Sequence, residues 1–223
     1  VTAAVDLNVD AEGEISDSGT LSVVGTATFD AGSRNITLDS AGNSFGVLNL
    51  IGGDIEVVQN DAGELSLITA DQFSLTSNQN ITQLNTSVLN ISGNLILDSG
   101  TNNITLLQAN NNVGGVDLTG SVVNIALAGT TRVENITADT LTLTAEGKIT
   151  QNIAGVVSVT GLATFDSGTD DIALIGEANT FGTISLFGNS VDLQNIAGEI
   201  EEIGATDLNF TSDNDIVSAG LLN

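Results

Sequence analysis

No histidine, cysteine, methionine, proline, tryptophan or tyrosine occurs in these 223 residues, and seven phenylalanines are the only aromatics. Each absence closes a door. Without histidine or cysteine there is no Ser-His-Asp arrangement, no thiol nucleophile and no ordinary zinc site. Without cysteine the fold needs no disulfide, in whatever redox compartment it resides. Without proline, every residue of a strand can donate to its ladder. Cations are scarce as well: Arg34, Arg132 and Lys148 stand against 28 acidic residues, for a net charge of −25. That balance argues against nucleic acid and anionic membranes as direct partners. No apolar run reaches the ~20 residues of a membrane-spanning helix.

What remains is narrow. Hydrophobic residues make up 41% of the chain, almost all Val, Ile, Leu and Ala. That fraction is too high and too regularly spaced for disorder. Small branched side chains of similar shape suit a stacked β core. The acidic excess reads first as a repulsive coat against sideways aggregation, and second as a surface for divalent cations.

Three segments align without a gap, each starting 68 positions after the one before: 25–46 (GTATFDAGSRNITLDSAGNSFG), 93–114 (GNLILDSGTNNITLLQANNNVG) and 161–182 (GLATFDSGTDDIALIGEANTFG). Seven positions are identical in all three. They are Gly25/Gly93/Gly161, Asp30/Asp98/Asp166, Gly32/Gly100/Gly168, Ile36/Ile104/Ile172, Leu38/Leu106/Leu174, Asn43/Asn111/Asn179 and Gly46/Gly114/Gly182. A fixed long period marks a repeat architecture, in which chains offer length and surface rather than one pocket. The units divide at 17–84, 85–152 and 153–219, the third one position short. Positions 1–16 read as the tail of a preceding unit and 220–223 as the start of another, so the chain reads as one continuous rod cut from something longer.

Within each unit the hydrophobic period is two. Ile36 and Leu38 face one way, and Asn35, Thr37 and Asp39 the other. Phe29, Leu97 and Phe165 repeat an inward position, as do Ile104 with Leu106 and Ile172 with Leu174. Strict alternation over about five residues is the half-buried strand signature. No segment has a helical face or a helix start. Asp30–Gly32, Asp98–Gly100 and Asp166–Gly168 are structural bends: the Asp side chain accepts from backbone N–H groups and Gly supplies positive φ. Asn43, Asn111 and Asn179 read as turn residues that can also bond to neighbouring coils. Eight or nine short strands per unit, about three to a coil, give about three coils of roughly 22–23 residues, with four shorter coils as the alternative. The fold class expected is all-β, a right-handed parallel β-solenoid of about ten coils and on the order of 50 Å at ~4.8 Å per coil.

Candidate sites are few. The densest acidic groups are Asp170–Asp171 and the trio Glu199, Glu201 and Glu202. A glycosidase needs two carboxylates at a set distance in a cleft, and nothing basic gathers here to stabilise a lyase enolate. Asp166, Asp170 and Asp171 are the weak candidates for calcium through loop oxygens. Their counterparts Asp98, Asn102 and Asn103, or Asp30, Arg34 and Asn35, do not keep the acidic count. The Ca-binding nonapeptide of secreted β-rolls and the EF-hand pattern are both absent, Gly52-Gly53-Asp54 being only a fragment of the former. No catalytic residue and no cofactor is expected, calcium being the one ion in question. Seven N-x-[ST] triplets begin at Asn35, Asn80, Asn85, Asn90, Asn103, Asn135 and Asn209. Asn-Ile-Thr reads as strand-entry chemistry before it reads as a glycan acceptor.

The phrases at 25–46 and 161–182, followed by GVLNLIGGDIEVV or GTISLFGNSVDL and closing on AEGKITQ, resemble the central repeats of filamentous-haemagglutinin-like adhesins, the large exoproteins of two-partner secretion in Gram-negative bacteria. The resemblance covers nearly the whole chain. It implies a right-handed parallel β-helix that projects a distal binding or effector region from the cell surface. It carries over no binding residue, because in that family these repeats act as a shaft. The expected function is a non-enzymatic extracellular shaft of an adhesin or self-assembling fibre. Its partners would be copies of itself end to end, neighbouring repeats, or host or matrix glycans. A lateral glycan- or calcium-dependent binding module is the second reading, and a polysaccharide-acting β-helix enzyme a remote third.

Overall fold

The computed structural model of the chain describes residues 2–3, 5–176, 178–194, 196–211 and 216–222, with side chains over 5–176, 178–194 and 198–211. Val1, Ala4 and Asn223, in the terminal pieces that the repeat assigns to neighbouring units, lie outside them. Among the described residues every regular element is a β-strand and every pairing is parallel, in a single β-solenoid of about 11 turns. Parallel strands in sequence order need a full circuit between partners, and here the circuit is the coil itself.

The core is a set of columns rather than a cluster. Leu38 stacks on Val57, Leu75, Leu97, Leu118, Ile136 and Val157 in unbroken register. All seven side chains are buried. A second column runs Ile104, Val123, Leu141, Ala163, Ile184, Ile200. The nine core positions expected from the alternation, from Phe29 to Leu174, are all at most 2% exposed. Size varies along a column while shape class does not, the tolerance expected of stacked apolar layers. Units one and three place an edge-to-face phenylalanine pair at one site, Phe29–Phe45 at 6.1 Å and Phe165–Phe181 at 6.4 Å. Unit two fills it with Leu97 and Val113.

The coils depart from the uniform length expected, and most are shorter. From Leu38 the successive rungs fall at Val57, Leu75 and Leu97, so the first two coils are tighter than the third. Three coils therefore close between Leu38 and Leu97. The rest of the unit, from Leu97 to Leu106, the counterpart of Leu38, carries the chain round one further side. Ile36 accordingly lies in line with Leu95, the counterpart of Ala27, and not with its own counterpart Ile104. The same step recurs from Ile104 to Ala163. Seven coils carry the column of Ile36 to within two positions of Ile172, its counterpart two units on, so a unit spans nearly three and a half coils. Some strands run through a corner and so carry two partners. Gly63–Ala70 pairs with Ile81–Gln83 through positions 63–65 and with Leu89–Asp98 through 68–70. Thr131–Ala145 does the same for Ile149–Gln151 and Val157–Asp166.

Strands are also fewer and longer than the eight or nine short ones expected: unit 17–84 holds seven, and Asn112–Leu127 and Thr131–Ala145 run for 16 and 15 residues. Corners without proline can stay extended, so neighbouring sides merge into one strand.

Candidate functional site

The natural place to look for a site is the set of positions that all three units keep. Asp30, Asp98 and Asp166 each accept the N–H of the glycine two positions on, Gly32, Gly100 and Gly168, at 2.8 Å. Those glycines sit at φ of 59–61°, the left-handed region that costs an L-residue about 1–2 kcal/mol. The residue between is buried, a feature outside the Asp-x-Gly signature: Ser99 and Ser167 turn their hydroxyls inward onto the carbonyls of Asn102 and Asp170. Gly25, Gly93 and Gly161 stand at corners where the ladder register shifts. Gly46, Gly114 and Gly182 lie one coil above them. A Cβ on Gly114 would come within 2.5 Å of the Ser92 carbonyl oxygen, so the reason for glycine there is close backbone approach.

The invariant asparagines lie inside the rod, Asn43 and Asn111 fully buried and Asn179 nearly so. Asn111 and Gln83 form a reciprocal amide pair, Asn Nδ2 to Gln Oε1 at 2.8 Å and Gln Nε2 to Asn Oδ1 at 2.7 Å. Asn179 and Gln151 repeat it at the same two distances. The asparagine oxygen also accepts the N–H of Leu89 or Val157, and Gln151 Oε1 that of Gly176. Asn43 meets Asp17 instead, at 2.6 Å. Gln83, Gln151 and Asp17 are absent from the sequence-derived candidates; the repeated Ile-Thr-Gln at 81–83 and 149–151 is the signal that marks the first two.

The acidic candidates disperse. Asp166 is used by its bend. Asp171 is ion-paired with Lys148 one coil below and accepts from Asn189 Nδ2 one coil above, at 3.2 Å. Asp170 is held by its backbone, its carbonyl accepting from Ser167 and Asn189. Glu199 pairs with Thr183, and a register shift between Ile200 and Glu202 leaves Glu201 as the extra, exposed residue. Among the described residues no three Asp or Glu converge as metal ligands would.

The Lys148 pair is the clearest electrostatic feature. The hydrogen bond to Asp171 and its charge raise the Lys148 pKa, and the same contact, with Asn189, lowers that of Asp171. Above the carboxylate's unfolded value of ~3.9 and below the lysine's of ~10.4, both charged forms favour the fold. The contribution fades as pH falls through the depressed Asp171 value or rises through the elevated Lys148 value. Both side chains are open to solvent, at 53% and 36%, so the stability involved is small. The titration itself is measurable, because Lys148 is the chain's sole lysine. Its single 13Cε resonance is expected to titrate above the usual lysine range and to return toward it in Asp171→Asn. An unchanged midpoint in the variant would show that the pair does not form in solution.

Four of the N-x-[ST] asparagines brace one coil to the next. The Oδ1 atoms of Asn35, Asn80, Asn103 and Asn135 accept the backbone N–H groups of Asp54, Asn103, Val122 and Val156 at 3.0–3.3 Å. This is the strand-entry role. Two hollows are of note. One of about 470 Å³ at the amino-terminal end has an apolar lining of Leu7, Val9, Ile15 and Phe29 beside Asp17. The other, about 370 Å³ on a lateral face, is lined by Asn35, Thr37, Asp54, Glu56, Gln72 and Ser74.

Compared with known families, the chain matches Repeats of unknown function (DUF5649) at residues 1–51, 52–120 and 119–187. The chain belongs to the DUF5649 repeat family. Successive DUF5649 matches begin at positions 1, 52 and 119, and the interval between the last two is close to the internal period. The DUF5649 boundaries fall elsewhere than 17–84 and 85–152 because a cyclic pattern has no natural first residue. No curated protein and no solved structure matches the chain.

Proposed function

We propose that this chain is a structural shaft: a rigid segment of an extracellular surface adhesin or self-assembling fibre, without catalytic activity of its own. One observation carries the reading. All seven positions common to the three units are spent on bends, close corners, core and buried side-chain hydrogen bonds, and none on an outward side-chain cluster. A family of repeats constrained in this way preserves length. The resemblance of 25–46 and 161–182 to adhesin repeats supports the same reading and supplies the cell-surface setting. The acidic coat serves it by keeping neighbouring rods dispersed.

The test is direct imaging. Purified chain examined by electron microscopy is expected to give straight rods that lengthen end to end as concentration rises, with no ligand added. Compact particles of constant length at every concentration would remove the fibre half of the reading. The lateral polar hollow around Asp54 and Glu56 favours the second reading, a glycan- or calcium-binding module. A calcium-dependent melting temperature lost in Asp54→Asn would establish it over the first. Turnover of an acidic polysaccharide, abolished by changing one carboxylate, would overturn both.

A further inference from the structure

One side of the rod carries an uncharged outward run longer than those of its neighbours. Thr82, Thr105, Asn124, Thr142, Thr164 and Ser185 stack in register over six successive coils, the first five half-exposed on the outer wall and Ser185 only 6% exposed. Every member is a short, uncharged hydrogen-bonding side chain. The row two positions earlier holds Asn80, Asn103, Val122, Thr140, Leu162 and Thr183, again without charge. The row two positions later has one carboxylate, Asp166, already engaged by Gly168. Acidic groups frame this panel: Glu64 continues the central row at one end and Glu202 at the other. The other sides hold shorter uncharged runs. One row carries Thr37, Glu56, Ser74, Ile96, Asp117 and Asn135, and another begins with Asp10 stacked directly on Asp30 and continues uncharged through Ile51, Thr69, Asn90 and Asn112.

We infer that this panel is a lateral contact surface whose partner is a second copy of the same chain, packed side by side. Two rods of charge −25 repel at every azimuth where carboxylates meet. The neutral panel is the side on which they approach without that cost, and threonine and asparagine rows on one copy can exchange hydrogen bonds with those on the other. Six coils by five positions cover on the order of 400 Å² a side. Stable complexes bury about 600 Å² or more per partner, so the pair is reversible. The acidic frame makes it salt-promoted, since counterions screen Glu64 and Glu202 while the neutral contact is unaffected. A neutral sugar polymer is the competing occupant, but sugar recognition leans on aromatic faces and the panel has only Phe187, at one corner. The inference is independent of the shaft reading. It needs only that the rod exists in solution.

The experiment is small-angle X-ray scattering of the whole chain over a concentration series, in low and in molar-range salt. Side-by-side pairing raises the cross-sectional radius at constant length, whereas end-to-end growth raises length alone. The cross-section is expected to grow with concentration, more so in high salt. Thr142→Glu places a carboxylate at the panel's centre and is expected to weaken the pairing by about tenfold or more. Thr37→Glu makes the same change on the acidic side, is equally half-exposed, and is expected to pair as the natural chain does. An unchanging cross-section at all salts, or equal loss in both variants, overturns the inference. So does binding of a neutral polysaccharide that Thr142→Glu abolishes in a chain that never self-associates.

Discussion

Asn179→Leu is expected to destabilise the rod by about 3 kcal/mol and to open it locally rather than everywhere. The side chain is 1% exposed and makes three contacts at once: it gives to Gln151 Oε1 and accepts from Gln151 Nε2 and from the Val157 N–H. Leucine removes all three and leaves the Val157 donor with nothing to meet, at about 1–3 kcal/mol for a buried orphan. Gln151 keeps its bonds to Gly155 and Gly176, which limits the damage. Because a solenoid unfolds by neighbouring coils rather than all at once, the sharpest readout is amide hydrogen exchange. Val157 should exchange much faster in the variant while Leu89, served by the separate Asn111–Gln83 pair, does not change. The double variant with Gln151→Leu should cost less than the two single changes summed, since it removes both halves of the pair. Strict additivity would mean that the two amides act independently.

Gly114→Ala should be worse than the other glycine-to-alanine changes compared with it along the middle coils, and three glycines there separate the causes. Gly129 has open space and an ordinary backbone, so alanine should be nearly neutral. Gly100 also has open space but lies at φ +59°, so alanine should cost about 1 kcal/mol for the left-handed conformation alone. Gly114 has an ordinary φ, yet its added Cβ would stand 2.5 Å from the Ser92 oxygen and 3.0 Å from that of Gly93. Backbone must move to admit it, which places the cost at about 3 kcal/mol. Urea melts of the three variants should fall in that order. A Gly100→Ala loss as large as that of Gly114→Ala would show that conformation, rather than contact with the coil beneath, holds the corner.

The fold was legible because the sequence repeats its own physics. Alternation at Ile36 and Leu38, bends at Asp-x-Gly and the absence of proline lead to a parallel solenoid. What could not be read was anything dependent on which coil lies above which. Spacing along the chain shows that Ile36 and Ile104 are equivalent, but not that Ile36 aligns with Leu95. That alignment depends on the short overshoot from Leu97 to Leu106, a small difference between two large numbers. The asparagines at 43, 111 and 179 read as turn residues within bonding reach of another coil. Their partners Asp17, Gln83 and Gln151 lie more than a coil back along the chain, where a linear reading has no means to pick them out. The carboxylates 166, 170 and 171 are neighbours in sequence that a bend and an ion pair put to separate uses.

The overshoot has a mechanical consequence. Two successive overshoots bring the chain almost back to its starting bearing, because seven coils carry the column of Ile36 to within two positions of its counterpart Ile172. The glycine corners of units one and three, where the wall has no side-chain bulk, therefore fall on one edge of the rod, and that of unit two on another. Thin points that alternate between two edges make the rod easier to bend toward those edges than across them.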